Sequence, residues 1–191
     1  LDDISPSSGV RPYIIFNQTK ELFRNVLEVK NVSKSFDDLK VLNDINLLIE
    51  TGERVAIIGQ NGVGKTTLLR SLMGEHTPES GMVKWSENAN IGYYAQDNSA
   101  DFEKDMSVLD WMSQFKSEKD DVQVMRGVLG KMLFGKEDVR KSVKSLSGGE
   151  KGRMLFGKLM LQKPNILLMD EPTNHLDMES IEALNLALDN Y

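Results

Sequence analysis

The alternation of apolar and polar residues predicts several strands in the first half of the chain. Residues 27–32 alternate with period two and are typical of a half-exposed strand. Residues 44–50 predict a second strand, closed by a Thr-Gly pair. Residues 55–58 form a continuous run of Val, Ala and Ile, which indicates a buried parallel strand. Shorter strands are expected at residues 13–16, 82–85 and 90–95.

The pattern becomes helical and more charged after residue 96. A helix is expected over residues 66–73, ended by Gly74, and others over 121–134, 147–161 and 178–188. Ser107 and Asp110 have the spacing of a capping box, and Trp111 and Phe115 then share one helical face. Residues 166–169 predict a buried strand between two of these helices.

Composition narrows the class of protein without identifying it. The chain has 191 residues, 40% of them hydrophobic, a net charge of −6 and no cysteine. These values fit one soluble α/β domain and argue against a surface that coats nucleic acid. No apolar run approaches the roughly 18 residues that would span a bilayer. Because Leu1 is not a start methionine, we interpret the chain as a piece of a longer protein.

Residues 59–66 read Gly-Gln-Asn-Gly-Val-Gly-Lys-Thr and match the phosphate-binding loop pattern. The loop lies between a predicted strand and a predicted helix, so its N–H groups and the helix dipole would face a bound phosphate. Lys65 would reach the β- and γ-phosphates, and Thr66 would offer its hydroxyl to Mg²⁺. A glycine-rich turn before an ordinary helix is the alternative. The predicted nucleotide contacts are Gly59, Asn61, Gly62, Val63, Gly64, Lys65, Thr66 and Thr67.

Two acids follow the predicted strand at 166–169. Asp170 is placed to hold Mg²⁺, and Glu171 to polarise an attacking water as general base. Paired acids after a strand can be simple surface residues, and it is the phosphate loop in the same chain that favours a catalytic role. The pattern therefore predicts hydrolysis of a nucleoside triphosphate.

A third motif, Leu-Ser-Gly-Gly-Glu at residues 146–150, resembles the signature sequence of the ATP-binding cassette (ABC) ATPases. The resemblance implies that Ser147, Gly148 and Gly149 bind the γ-phosphate of the nucleotide held by an opposite cassette. Taken alone, the same residues are an ordinary helix cap. Ser147 is accordingly expected to lie beyond contact with a phosphate held at Lys65 of its own chain.

Other positions match the same family. Phe36 lies where the family carries an aromatic residue that stacks on adenine, with Val41 packed on the same ring; a core phenylalanine is the alternative. Gln96 corresponds to the glutamine that touches Mg²⁺ and water, and a solvated loop residue is its alternative. Asp177 matches the loop that contacts the opposite cassette. His175 is interpreted as capping or packing in its turn, and His76 as simply exposed.

The residues around these motifs indicate the subfamily. Glu-Lys-Gly-Arg-Met-Leu at 150–155 and Pro-Thr-Asn-His-Leu-Asp at 172–177 resemble the ABC-F group, and residues 85–88 and 177–180 resemble its YbiT-type branch. The resemblance implies an α/β P-loop NTPase cassette with a RecA-like core sheet, an antiparallel β subdomain and a helical signature subdomain. The expected divisions are the end of an inter-cassette linker at 1–12, the β subdomain with the phosphate-loop part of the core at 13–96, and the helical subdomain at 97–145. The signature helix, the strand with the two acids and the helix after it follow at 146–191.

The ABC-F resemblance implies a cytoplasmic ATPase without a membrane domain, the second of two cassettes that close head to tail on Mg-ATP to act on the ribosome or its tRNA. The alternatives are the nucleotide-binding subunit of a transporter, and an ATP-gated binding module with negligible hydrolysis. In the family, the strand after residue 191 carries a switch histidine and lies in the middle of the core sheet. We therefore expect residues 1–191 alone to hydrolyse ATP poorly.

Overall fold

The structure is a computed structural model that describes residues 9–191, and these residues pack into two units. One unit consists of residues 20–90. The other combines residues 9–19 with residues 91–191. Residues 13–19 thus belong to the second unit, and residues 1–8 of the predicted linker lie outside the described range.

The unit of residues 20–90 is built on an antiparallel sheet of three strands. Strands β1 (Asn25–Phe36), β2 (Leu39–Glu50) and β3 (Ser80–Trp85) lie in the order β2-β1-β3. Leu27, Val29 and Val32 of the central strand are at most 2% exposed, as expected where alternate side chains face a core. The predicted strands at 27–32, 44–50 and 82–85 are confirmed.

Helix α1 (Lys65–Leu72) packs in the same unit and follows the glycine-rich loop directly. Its end is confirmed at the predicted place, because Gly74 adopts a left-handed φ of 77° just beyond the last turn. The indole N–H of Trp85 donates to the carbonyl oxygen of Leu72 at 2.8 Å, which ties β3 to the end of this helix.

The strand predicted at residues 55–58 is wrong. Residues 53–60 have neither strand nor helix, and Val55 and Ile58 are 53% and 93% exposed. A β-branched run favours extended backbone, but a strand also needs a hydrogen-bonded neighbour, and the ladders of the described residues include none for this segment.

The unit of residues 9–19 and 91–191 contains a parallel pair of strands, β4 (Ile91–Tyr94) and β5 (Ile166–Met169). This pair represents the predicted core sheet in the described part of the chain. The strand at 166–169 was expected to be buried, and all four residues are half-buried. A strand with one neighbour keeps an open edge, which accounts for that exposure.

Four α-helices belong to this unit: α2 (Val108–Ser113), α3 (Val122–Lys131), α4 (Gly148–Gln162) and α5 (Met178–Asp189). Helix α4 packs against β4, and α2 and α3 pack against α4. The Ser107 hydroxyl caps α2 by accepting from the Asp110 N–H, but the Asp110 carboxylate accepts from that hydroxyl and not from the Ser107 N–H, so the predicted capping box is only half formed. Trp111 contacts Phe115 edge to face at 4.8 Å between ring centroids. The core of this unit is rich in aromatic residues and methionine. None of the helices described here combines the length and apolar character that crossing a bilayer requires.

Residues 13–16 are not the strand that their apolar pattern predicted. Ile14 and Phe16 are each 6% exposed, and the ring of Phe16 meets Tyr191 edge to face. The backbone of this segment makes one bond to α3, from the N–H of Tyr13 to the carbonyl oxygen of Lys131 at 2.9 Å. The apolar residues thus reflect packing of an irregular segment.

Candidate functional site

The glycine-rich loop adopts backbone angles that only glycine tolerates well. Gly62 and Gly64 have φ values of 81° and 107°, and Gly64 leads into α1. A Cβ added at Gly64 would lie 2.8 Å from Cγ1 of Val41 and 3.1 Å from its carbonyl oxygen. Val41, predicted beside the adenine, therefore packs against the loop that opens the helix. The positive φ values turn the loop into the first turn of α1, and the N–H groups at a helix N-terminus suit an anion.

Lys65 folds back over this loop. Its ammonium group donates to the carbonyl oxygens of Gly59 and Gln60, the second at 3.3 Å. Val63 is 54% exposed, and Asn61 is also exposed, so the loop is open to solvent. A positive side chain lying across glycine backbone at a helix N-terminus fits the charge of a triphosphate. The further predicted contacts, Thr66 and Thr67, occupy the first turn of α1.

Phe36 ends β1 and is 41% exposed, so the alternative of a core phenylalanine is wrong. Its ring is accompanied by two neighbours. The imidazole of His76 meets it edge to face, with 5.3 Å between centroids and 77° between planes, and the Lys34 ammonium lies 5.3 Å from the ring centroid. His76, predicted to be simply exposed, is half-buried in this contact.

The carboxyl ends of β4 and β5 bring Gln96 to the adjacent acids Asp170 and Glu171, although Gln96 and Glu171 are 75 positions apart in the sequence. The N–H of Asp170 donates to the carbonyl oxygen of Tyr94 at 2.8 Å and extends the pairing of the two strands. Just beyond it, the Gln96 side chain donates through Nε2 to Oε2 of Glu171 at 3.2 Å. Parallel strands end at the same edge, so this convergence follows from the fold. Gln96 is an exposed loop residue, as its alternative expected, and its side chain also bonds to the acid.

Asp170 is 4% exposed, whereas Glu171 is half-buried and has a left-handed φ of 49°. A buried carboxylate beside a carboxamide offers the oxygen ligands that Mg²⁺ prefers. The left-handed residue turns the chain sharply after the strand, so that the two adjacent acids differ in exposure. This difference suits one metal-binding acid and one acid that meets water.

Asn174 is a member of this group that the sequence analysis missed. Its Nδ2 donates to Oε2 of Glu171 at 2.8 Å, and its backbone N–H donates to the Glu171 carbonyl oxygen at 3.1 Å. Both groups of Asn174 thus close the turn that begins at the acid. A signal was available, because an amide three residues after an acid in a turn can reach back to it.

The signature residues form a capped helix start. The hydroxyl of Ser147 accepts from the N–H of Glu150 at 3.2 Å, and the Glu150 carboxylate accepts from the Ser147 N–H at 2.8 Å. A Cβ added at Gly148 would lie 3.3 Å from Cβ of His175, and one added at Gly149 would lie 3.3 Å from its carbonyl oxygen. The predicted packing role of His175 is confirmed, since its turn rests on the two glycines.

Asp177 caps α5, because its Oδ1 accepts from the N–H of Ser180 at 2.8 Å. Its other carboxylate oxygen lies 3.8 Å from Nη1 of Arg153, whose guanidinium also stands 5.8 Å from the ring centroid of Phe134. Arg153 is a second residue that the sequence analysis did not assign to the site. The second half of the turn at 171–177 is thereby connected to α4 at two places, His175 and Asp177.

Burial shapes the ionisation of one group behind this edge. Tyr94, the last residue of β4, is 6% exposed and its ring stacks on Phe156. Burial raises the pKa of its hydroxyl to about 12, because the phenolate would lose its hydration. Tyr94 therefore stays neutral, and its ring belongs to the hydrophobic core of this unit.

Comparison with known proteins gives a family and several relatives. The family profile described as ABC transporter matches residues 42–174. The chain is 60% identical over its full length to "Probable ATP-binding protein YbiT" of Escherichia coli O157:H7, of which it covers 36%. It is 39% identical over 88% of its length to "ABC transporter F family member 5" of Arabidopsis thaliana and covers 24% of that protein. The chain thus spans about a third or less of these relatives.

Solved structures share the fold. The structure of cbiO1 from Clostridium perfringens, part of the ABC transporter complex cbiONQ, superposes with a TM-score of 0.65 and 27% identity, covering 88% of this chain and 74% of that one. A bacterial Atm1-family ABC exporter with ATP bound superposes with a TM-score of 0.74 over 91% of this chain and 34% of that one, at 22% identity. The second likeness concerns the fold alone.

Proposed function

Because this chain belongs to the ABC transporter family of ATP-binding cassettes, which bind ATP with Mg²⁺ and generally hydrolyse it, we propose that it is the second cassette of an ABC-F ATPase acting on the ribosome. The observation that carries the proposal is the meeting of Gln96, Asp170 and Glu171 at one edge of a parallel strand pair. The similarity to an F family member supports the subfamily.

Each residue has a distinct role in the proposed reaction. Lys65 and the loop glycines bind the phosphates, and Thr66, Gln96 and Asp170 hold Mg²⁺. Bound Mg²⁺ supplies positive charge that neutralises the γ-phosphate oxygens. Glu171, whose Oε2 already accepts two hydrogen bonds, orients a water and takes its proton.

The remaining site residues contact the adenine of the nucleotide and a second cassette. Phe36 stacks on the adenine with Val41 beside the loop. Ser147, Gly148 and Gly149 face the nucleotide of the opposite cassette, and Asp177 lies in the segment that contacts it. The subdomain divisions at 96–97 and 145–146 belong to the same proposal.

ATP turnover by the full-length protein tests the assignment of roles. We expect Lys65→Ala to weaken ATP binding strongly, because the phosphates lose their cation. Glu171→Gln is expected to leave binding intact and to stop turnover at this cassette. The protein that carries both Lys65→Ala and Glu171→Gln measures the phosphate release that comes from any other ATP site. Phosphate release by the Glu171→Gln protein at the parental rate would show that Glu171 is not the base.

The alternative of a transporter subunit is favoured by the solved relative that belongs to a transporter complex. Glu150 to Arg153 and the Asn174-His175 pair favour the ABC-F assignment. Sedimentation of the full-length Glu171→Gln protein with ATP separates the two. Migration with ribosomes supports the proposal, and migration only with membranes contradicts it. A parental protein that binds ATP without releasing phosphate would indicate the binding module.

A further inference from the structure

The loop between α1 and β3 is fastened to the end of β1. The Glu79 carboxylate accepts from the N–H of Ser35 at 2.8 Å and from its hydroxyl at 3.2 Å. The N–H of Glu79 donates to the carbonyl oxygen of Ser33 at 2.9 Å. Three hydrogen bonds thus fix this loop beside the residue that precedes Phe36.

The fastening brings His76 against Phe36. The two rings meet edge to face at 5.3 Å between centroids, an arrangement in which the ring edge of one is attracted to the ring face of the other. Phe36 is a large apolar side chain at the surface, 41% exposed at the end of a strand, and its other neighbour is the flexible side chain of Lys34. A ring in that setting exchanges rotamers freely unless a neighbour restrains it.

We propose that His76, presented by Glu79, is a positioning residue that holds the Phe36 ring ready to stack on the purine base of the bound nucleotide. This inference rests on the proposed function, in which Phe36 meets adenine. The restraint lowers the entropic cost of binding the purine, because the Phe36 ring is already ordered before the nucleotide binds. The effect concerns the base and not the phosphates, which bind at the glycine-rich loop.

A pair of ligands isolates the contribution of the base. ATP uses both the base and the phosphate contacts, whereas inorganic tripolyphosphate uses the phosphate contacts alone. Each is titrated with Mg²⁺ into the full-length protein by calorimetry. Binding that disappears in Lys65→Ala is assigned to this cassette. The measured quantity is a ratio, the dissociation constant of tripolyphosphate divided by that of ATP, which falls when ATP binding weakens alone.

We expect His76→Ala to weaken ATP binding about two- to tenfold, the usual range for one aromatic contact, and to leave tripolyphosphate binding unchanged. His76→Phe keeps an edge contact and is expected to restore most of the ATP affinity. Glu79→Gln loses one of its charged acceptor oxygens and is expected to shift the ratio in the same direction as His76→Ala. Glu87→Gln, an exposed glutamate of the same unit, is the matched control.

Phe36→Ala separates failure of the inference from failure of the proposed function. If Phe36→Ala lowers the ratio and His76→Ala does not, the inference is wrong and the base site stands. If neither substitution changes the ratio, Phe36 does not bind the base and both statements fall. Equal loss of ATP and tripolyphosphate binding in His76→Ala would also overturn the inference, because it would indicate general damage to the site.

Discussion

Removing the Asn174 side chain tests whether the turn after β5 orients the proposed base. Oε2 of Glu171 accepts from Nδ2 of Asn174 at 2.8 Å and from Nε2 of Gln96 at 3.2 Å. Asn174→Ala deletes the shorter bond and leaves the longer one. The carboxylate then has one side-chain donor and more freedom to rotate away from the attacking water.

The size of the effect follows from the strength of that bond. A hydrogen bond to a charged group contributes about 1.5–3 kcal/mol, and because Asn174 is exposed we take the lower end. A loss of about 1.4 kcal/mol in the transition state lowers kcat about tenfold. KM should change little, since the bond orients the base and does not hold the nucleotide. Asn174→Asp replaces the donor with a like charge and should lower kcat further.

Steady-state phosphate release by the full-length protein measures both constants. Asn190→Ala is the matched control, because Asn190 also makes a side-chain hydrogen bond, to the carbonyl oxygen of Leu186, at the far end of α5. A kcat for Asn174→Ala within twofold of the parental value, with Glu171→Gln inactive, would refute the argument. A rise in KM alone would point instead to a role in nucleotide binding.

Three further substitutions test the packing and ionisation described above. Gly92→Ala places a Cβ 2.7 Å from Cγ of Pro164, a rigid ring, and should destabilise the protein by about 1–3 kcal/mol, seen as a lower melting temperature. Gly64→Ala combines a φ of 107° with a clash against Val41, and nucleotide titration should show ATP binding lost. The pKa of Tyr94 is about 12 in the folded protein and about 10 in the unfolded chain, because burial disfavours the phenolate. The contribution of Tyr94 to the free energy of unfolding is therefore complete below pH 10 and falls by up to about 2.7 kcal/mol as the pH rises to 12. Denaturation between pH 8 and 11 should show a flatter decline for Tyr94→Phe, and an unchanged slope would contradict this.

The sequence predicted local elements best where the signal was itself local. The Ser107 and Ser147 caps formed as their spacing required, because a cap involves only one helical turn. Strands with clear alternation, such as residues 27–32, formed because half of their residues had a core to face. The family could also be predicted from the sequence, because short contiguous motifs identify it, and the profile match confirms it.

Predictions failed where an element depended on a partner elsewhere in the chain. Residues 55–58 have the composition of a buried strand, but composition supplies no hydrogen-bonded neighbour, and the segment stays irregular and exposed. Residues 13–16 are apolar because they pack on helices and not because they pair. In both cases the hydrophobic signal reports burial preference, and pairing is decided by the rest of the fold.

The sequence by itself determined which functional groups the site contains: a lysine and glycines at a helix start, two acids after a strand, and a serine-capped signature helix. It could do so because each motif is contiguous and its backbone demands are local. The tertiary structure alone decided which side chains meet. Parallel pairing of β4 with β5 joined Gln96 to Glu171 across 75 positions, and the fastened loop set His76 against Phe36. Such contacts arise from packing distant segments together, and no local pattern encodes them.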